Sequence, residues 1–189
     1  AGDKVSFKGT NVSTWADSNN TPKHFTMTGK IAASGSVTSL TDGVGSDPNV
    51  TLQEACYAYM FEGCTALTEA PELPAMEIPK SAYKEMFRGC TALTTAPTLP
   101  ATNLKDWCYN YMFYNCTSLT TAPTLPAEAL ANNCYYAMFG ECTSLTAAPK
   151  LPATKIPESA YALMFYKCTS LTAAPELSAT EIGALGYYE

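Results

Sequence analysis

Histidine is nearly absent from this chain of 189 residues, which carries one, His24. That removes most imidazole-based acid–base chemistry and nearly every His-rich metal site. Basic residues are scarce too, 11 Lys+Arg against 17 Asp+Glu, for a net charge of −6. With no positive stripe to displace counterions from phosphates, no nucleic-acid partner is expected. The same shortage argues against a polybasic grip on anionic lipid. No apolar run approaches the ~20 residues that span a bilayer, so this segment is not expected to insert into a membrane. Charged residues are only 15% and apolar residues 47%, which argues against a disordered tail or a coiled coil.

What the chain has is repetition. Met-Phe-x-x-Cys-Thr recurs with Cys64, Cys90, Cys116, Cys142 and Cys168, a step of 26 each time. Its phenylalanines are Phe61, Phe87, Phe113, Phe139 and Phe165. Three residues after each cysteine comes a leucine, Leu67, Leu93, Leu119, Leu145 and Leu171. Ala-Pro follows in every unit, then a second leucine at Leu73, Leu99, Leu125, Leu151 and Leu177. Tyrosine keeps the same period from Tyr57 through Tyr83, Tyr109, Tyr135 and Tyr161 to Tyr187.

Each unit has two halves. Cys108, Tyr109, Met112, Phe113 and Cys116 stand at i, i+1, i+4, i+5 and i+8, which predicts one face of a short helix. Asp106 and Trp107 open it, and Asn115, tolerant of left-handed dihedrals, closes it. The other half, from Leu119 to Pro126, is extended. Its prolines exclude helix and remove ladder donors, so its strand must be short, roughly three residues. A unit of this size cannot bury its own apolar face, so neighbours must stack and share a core. The expected fold is a right-handed α/β solenoid, with a short parallel strand and a short helix per 26-residue unit.

Residues 1–53 fall outside the period and read as an N-terminal β cap. Val5 with Phe7, and Phe25 with Met27, alternate with polar residues as half-buried strands do. Val37-Thr-Ser-Leu40 repeats the Cys-Thr-Ser-Leu theme with valine in the cysteine slot, as a degenerate first repeat. Residues 54–189 form five 26-residue units, and the C-terminal unit reads as truncated.

The form Cys108-Tyr-x-x-Met-Phe-x-x-Cys116-Thr-Ser-Leu-Thr-x-Ala-Pro-x-Leu-Pro-Ala127 resembles the leucine-rich repeats of BspA-like surface proteins of Bacteroides-type gut bacteria. The likeness runs from about Glu54 to the C-terminus. Ala-Pro stands where most such repeats place Ile-x-Ile, which departs from a long regular concave sheet. The resemblance implies a secreted or cell-surface protein, an outer-membrane lipoprotein by preference, that acts by protein–protein adhesion.

No catalytic, metal or cofactor constellation is read. The cysteines are expected to be free and buried. Five occupy one ladder slot, and Cys56, Cys108 and Cys134 share a slot that holds Ala82 and Ala160 in sister units. The pairs Glu69 with Glu72 and Glu77 with Glu85 are read as a solvated face, His24 as a surface or satisfied residue, and Trp107 as partly exposed. The expected binding face is the strand side, five and eight residues after each ladder cysteine. It comprises Glu69, Glu72, Thr95, Thr98, Thr121, Thr124, Lys150 and Glu176, beside Ala147 and Ala173. The expected partner is a protein or glycan on a host or cell surface, bound by a monomer. A spacer that displays another domain is the alternative, and a glycan-binding module a more distant one.

Overall fold

The computed structural model of the chain describes residues 25–42 and 49–188. The 26-residue period is a physical register, because counterparts in successive units lie one on the next. The tyrosines from Tyr57 to Tyr187 stack with centroids 5.5–5.8 Å apart. The phenylalanines from Phe61 to Phe165 do the same at 5.5–5.9 Å. Leu67, Leu93, Leu119 and Leu145 are fully buried between these columns, with Leu73, Leu99, Leu125 and Leu151 beside them. One core therefore runs through the stack, and each large side chain in it contributes roughly 1.5–3 kcal/mol by leaving water.

The strands are short and parallel, as the prolines require. β1 (Ile31–Ala32) pairs with β2 (Leu67–Glu69). Single bridges carry that ladder onward from Thr95 to Thr121 and from Thr121 to Ala147. A second ladder lies at a slot the sequence marks only by a recurring aliphatic residue. There β3 (Glu77–Ile78) pairs with β4 (Asn103–Leu104), and β5 (Lys155–Ile156) with β6 (Glu181–Ile182).

The helix expected in each unit is not formed. Among the described residues the sole helix is α1 (Ser39–Asp42), outside the repeats. In its place is a ribbon of consecutive β-turns. The amides of Cys108, Asn110, Met112, Tyr114 and Cys116 each donate to the carbonyl three residues back. The alternating amides, those of Trp107, Tyr109, Tyr111, Phe113 and Asn115, donate instead to the next unit, at Asn132, Cys134, Tyr136, Met138 and Gly140. Trp107, Tyr111 and Asn115 have φ of 63°, 53° and 58°, as the third residue of a type II turn requires. An amide spent on a neighbour cannot close an i→i−4 bond, so the helix loses to the stack. Asn115 is left-handed as expected, but as one of three such positions in each unit.

The N-terminal register also differs from expectation. Ile31 pairs with Leu67 and Ser36 with Glu72, an offset of 36 residues. Phe25 stacks on Phe61, and its carbonyl accepts the Cys64 thiol. Phe25 therefore fills the phenylalanine slot, and Val37 fills the slot of Leu73 rather than that of a cysteine. Phe25 and Met27 alternate with exposed threonines as expected, although no strand forms until Ile31. The strand proposed at Val5 and Phe7 lies outside the described residues.

Candidate functional site

On the strand side every one of the eight proposed face residues is exposed, from Glu69 and Glu72 to Lys150 and Glu176. The leucines between them are buried from Leu67 to Leu151, whereas in the last unit Leu171 is half-buried and Leu177 is 56% exposed. Thr95 and Thr121 lie side by side across a bridge, and Lys150 stands 3.9 Å from Glu176. A further threonine column, one residue earlier at Thr94, Thr120, Thr146 and Thr172, is exposed as well. The sequence reading missed it, although its repetition in every unit was visible. The Thr146 hydroxyl donates to the Thr120 carbonyl at 3.2 Å, which fixes its rotamer and leaves its lone pairs outward.

Two grooves open along the second ladder. The first, of about 460 Å³, lies between Asn49–Leu52 and Met76–Pro79, with Asn103 and Lys105 on its far side. The second, of about 600 Å³, is bordered by Glu128, Leu130, Lys155, Pro157 and Glu181. Both are open to solvent and mix polar with apolar lining, unlike the enclosed, mostly apolar clefts that take small ligands. Glu77 accepts a hydrogen bond from Asn103 at 3.1 Å, and Lys155 pairs with Glu181 at 3.0 Å.

The turn side holds the chain's most conspicuous aromatic and charged groups, and these are spent on one another. Arg88 lies over the rings of Tyr111 and Tyr114, 5.8 and 5.7 Å from their centroids. The same guanidinium meets Glu85 at 2.6 Å and Glu62 at 3.7 Å. Tyr111 packs on Tyr114 and Tyr136. Lys167 bonds Glu141 at 3.1 Å and lies over Tyr166, and its hydrogen bond holds the Glu141 carboxyl below its ordinary value. This chain of contacts crosses every junction and braces the units together.

Glu85 is buried rather than solvated, in contrast to the expectation for its pair, and it does not converge with the exposed Glu77. Trp107 is 38% exposed, as expected. His24 lies outside the described residues. All eight cysteines are free and buried. Burial pushes the Cys56 and Cys134 thiols up to about 12 and Cys64 to about 11, so they stay protonated and weakly nucleophilic. Burial likewise raises Tyr83, Tyr109 and Tyr135. Among the described residues no three His, Cys, Asp or Glu side chains could hold a metal ion, and no helix is long and apolar enough to cross a membrane.

Compared with known proteins, the chain matches no family model, no curated protein and no solved structure.

Proposed function

We propose that this is a non-enzymatic repeat solenoid of the BspA-like leucine-rich kind, secreted or displayed at a cell surface, that binds proteins through its strand side. The observation that carries the reading is the contrast between the two sides. The turn side spends its cations, carboxylates and rings on one another, whereas the first ladder leaves threonine columns exposed and two open grooves lie along the second, with Lys150–Glu176 and Lys155–Glu181 the ion pairs there. A strip of five units at ~4.8 Å each is about 20–25 Å long, enough for an extended segment of a partner. Hydroxyl-rich contacts with little apolar area give weak single-site affinity, which display of many copies on one surface strengthens. The brace of the turn side favours a second reading, a stiff spacer that binds nothing.

The test replaces Thr95, Thr98, Thr121 and Thr124 together with lysine. Binding to a panel of matrix proteins and mucins should fall at least tenfold while the melting transition survives. A wild-type chain that binds no member of the panel leaves the spacer reading in its place. Binding to the glycans of mucin after its protein is removed would favour a glycan module.

A further inference from the structure

The outer face of residues 163–188 repeats the slots of every interior junction but leaves them uncovered. Ile182 is 61% exposed where Ile156 is 3%, and Leu177 is 56% exposed where Leu151 is 2%. Phe165 and Leu171 are half-buried, whereas Phe139 and Leu145 are fully buried. Aliphatic and aromatic side chains exposed on one face, rather than scattered singly, mark an interaction site.

The junction before it shows what fits there. The amides of Phe139, Glu141, Ser159 and Tyr161 donate one unit on, to the carbonyls of Met164, Tyr166, Ala184 and Gly186. Their counterparts at Phe165, Lys167, Leu185 and Tyr187 have no acceptor among the described residues. The Phe139 carbonyl takes both the Cys142 amide and the Cys168 thiol. Among the described residues the Phe165 carbonyl takes the Cys168 amide alone. Four acceptors at those spacings, with a thiol between them, belong to a polypeptide wound in the same ribbon of turns.

Charge narrows the sequence of that polypeptide. Residues 163–188 carry three charged side chains, Lys167, Glu176 and Glu181. Each is opposite in sign to its counterpart one unit back and pairs with it. Lys167 meets Glu141 at 3.1 Å, Glu176 meets Lys150 at 3.9 Å, and Glu181 meets Lys155 at 3.0 Å. The three remain 56, 83 and 65% exposed, which leaves their outer sides open to a second partner of the same sign. Residues 137–162 alone among the repeats supply Glu, Lys and Lys at these slots. The unit before has Asn115, Thr124 and Ala129 there, and the first has Gly63, Glu72 and Glu77.

We infer that this face is a docking site for a separate polypeptide of the same 26-residue pattern, with an acidic residue and two lysines in the slots of Glu141, Lys150 and Lys155. Such a site joins one chain to another by continuing the stack, and it uses neither the threonine columns nor the grooves.

The probe is a labelled peptide with the sequence of residues 137–162, titrated against the full chain by fluorescence anisotropy at low salt. It should bind at least tenfold more tightly than a scrambled peptide of the same composition. Glutamate in place of the peptide's two lysines should weaken binding at least threefold, and Glu176→Gln with Glu181→Gln in the chain should abolish that difference. Leu177→Ser with Ile182→Ser, both exposed and so safe for folding, should weaken binding at least tenfold. No binding, equal binding by the scrambled peptide, or indifference to the lysine reversal or to the serine variant overturns the inference. So does a chain that sediments as a dimer until Leu177 and Ile182 are replaced, because a second copy then occupies the face.

Discussion

The thiol of Cys116 donates to the carbonyl of Phe87, one unit back, at 3.1 Å. That carbonyl already accepts the amide of Cys90, so the thiol fills its second lone pair. The same bond recurs from Cys90 to Phe61, from Cys142 to Phe113 and from Cys168 to Phe139. Cysteine is thus small enough for the core and still polar enough to bind backbone across each junction. Cys116→Ala should cost about 1–3 kcal/mol from the lost bond and the small void. Thiol titration should find few reactive groups in native protein and about eight after denaturation without reductant. Fewer than five in the denatured, unreduced sample would mean that some cysteines are paired.

Gly140 makes room for the ring of Tyr114. A Cβ built at Gly140 would stand 2.7 and 2.8 Å from two ring carbons. Sister units hold Glu62, Arg88 and Tyr166 in this slot, so the space is needed only where a tyrosine precedes it. Gly140→Ala should therefore destabilise by about 1–3 kcal/mol through overpacking. In a Tyr114→Ala background the same change should be nearly neutral. An equal loss in both backgrounds would place the cause in the backbone rather than the ring.

Inward and outward slots were legible because a fixed period assigns each residue type one environment. The leucines from Leu67 to Leu151, the phenylalanines from Phe61 to Phe139 and the ladder cysteines lie where that rule puts them, as do the exposed threonines, whereas in the last unit Phe165 and Leu171 are half-buried and Leu177 is exposed. The turn ribbon was not legible from apolar spacing, since pairs every four residues look like a helical stripe. The period itself held the distinction. A stripe of period four drifts about 40° per turn on a helix of 3.6 residues per turn, whereas a chain of paired turns keeps it straight. Gly63, Gly89 and Asn115 in one slot were the other signal. The offset of 36 that brings Phe25 onto Phe61 includes ten residues beyond one period (36 − 26), and no local pattern announces such an insertion.

Left-handed backbone recurs every fourth residue of the ribbon, and fourteen of these residues are not glycine. None of the fourteen is valine, isoleucine or threonine, which tolerate positive φ least. Ser81, at φ 57°, tests the cost because its side chain is only partly buried. Ser81→Gly should raise stability by about 1 kcal/mol, and Ser81→Val should lower it by at least as much. Urea melts read both changes. A glycine variant less stable than wild type would show that the left-handed backbone at this position is not strained.

Alkaline pH should unfold the stack cooperatively, because its interior holds acids that must stay neutral. Burial raises Cys56, Cys64, Cys90, Cys108, Cys116, Cys134 and Cys142 above the ordinary thiol value of 9.0. With folded values above unfolded ones, the stability these thiols contribute is complete below about pH 9. It is lost as the pH rises towards and through the folded values, about 11 for Cys64 and about 12 for Cys56 and Cys134. Within that window the unfolded chain has released protons that the folded chain retains, so each thiol removes up to ~1.4 kcal/mol per pH unit. Anaerobic urea midpoints should change little from pH 7 to 8 and fall steeply from pH 9 to 11. Tyrosines and lysines titrate in the same range, so the control is Cys108→Ala with Cys134→Ala, in a slot where Ala82 and Ala160 are already accommodated. That variant should lose two thiols' share of the slope while its midpoint at pH 7 moves little. A slope identical to wild type would show that the thiols are not what alkali titrates.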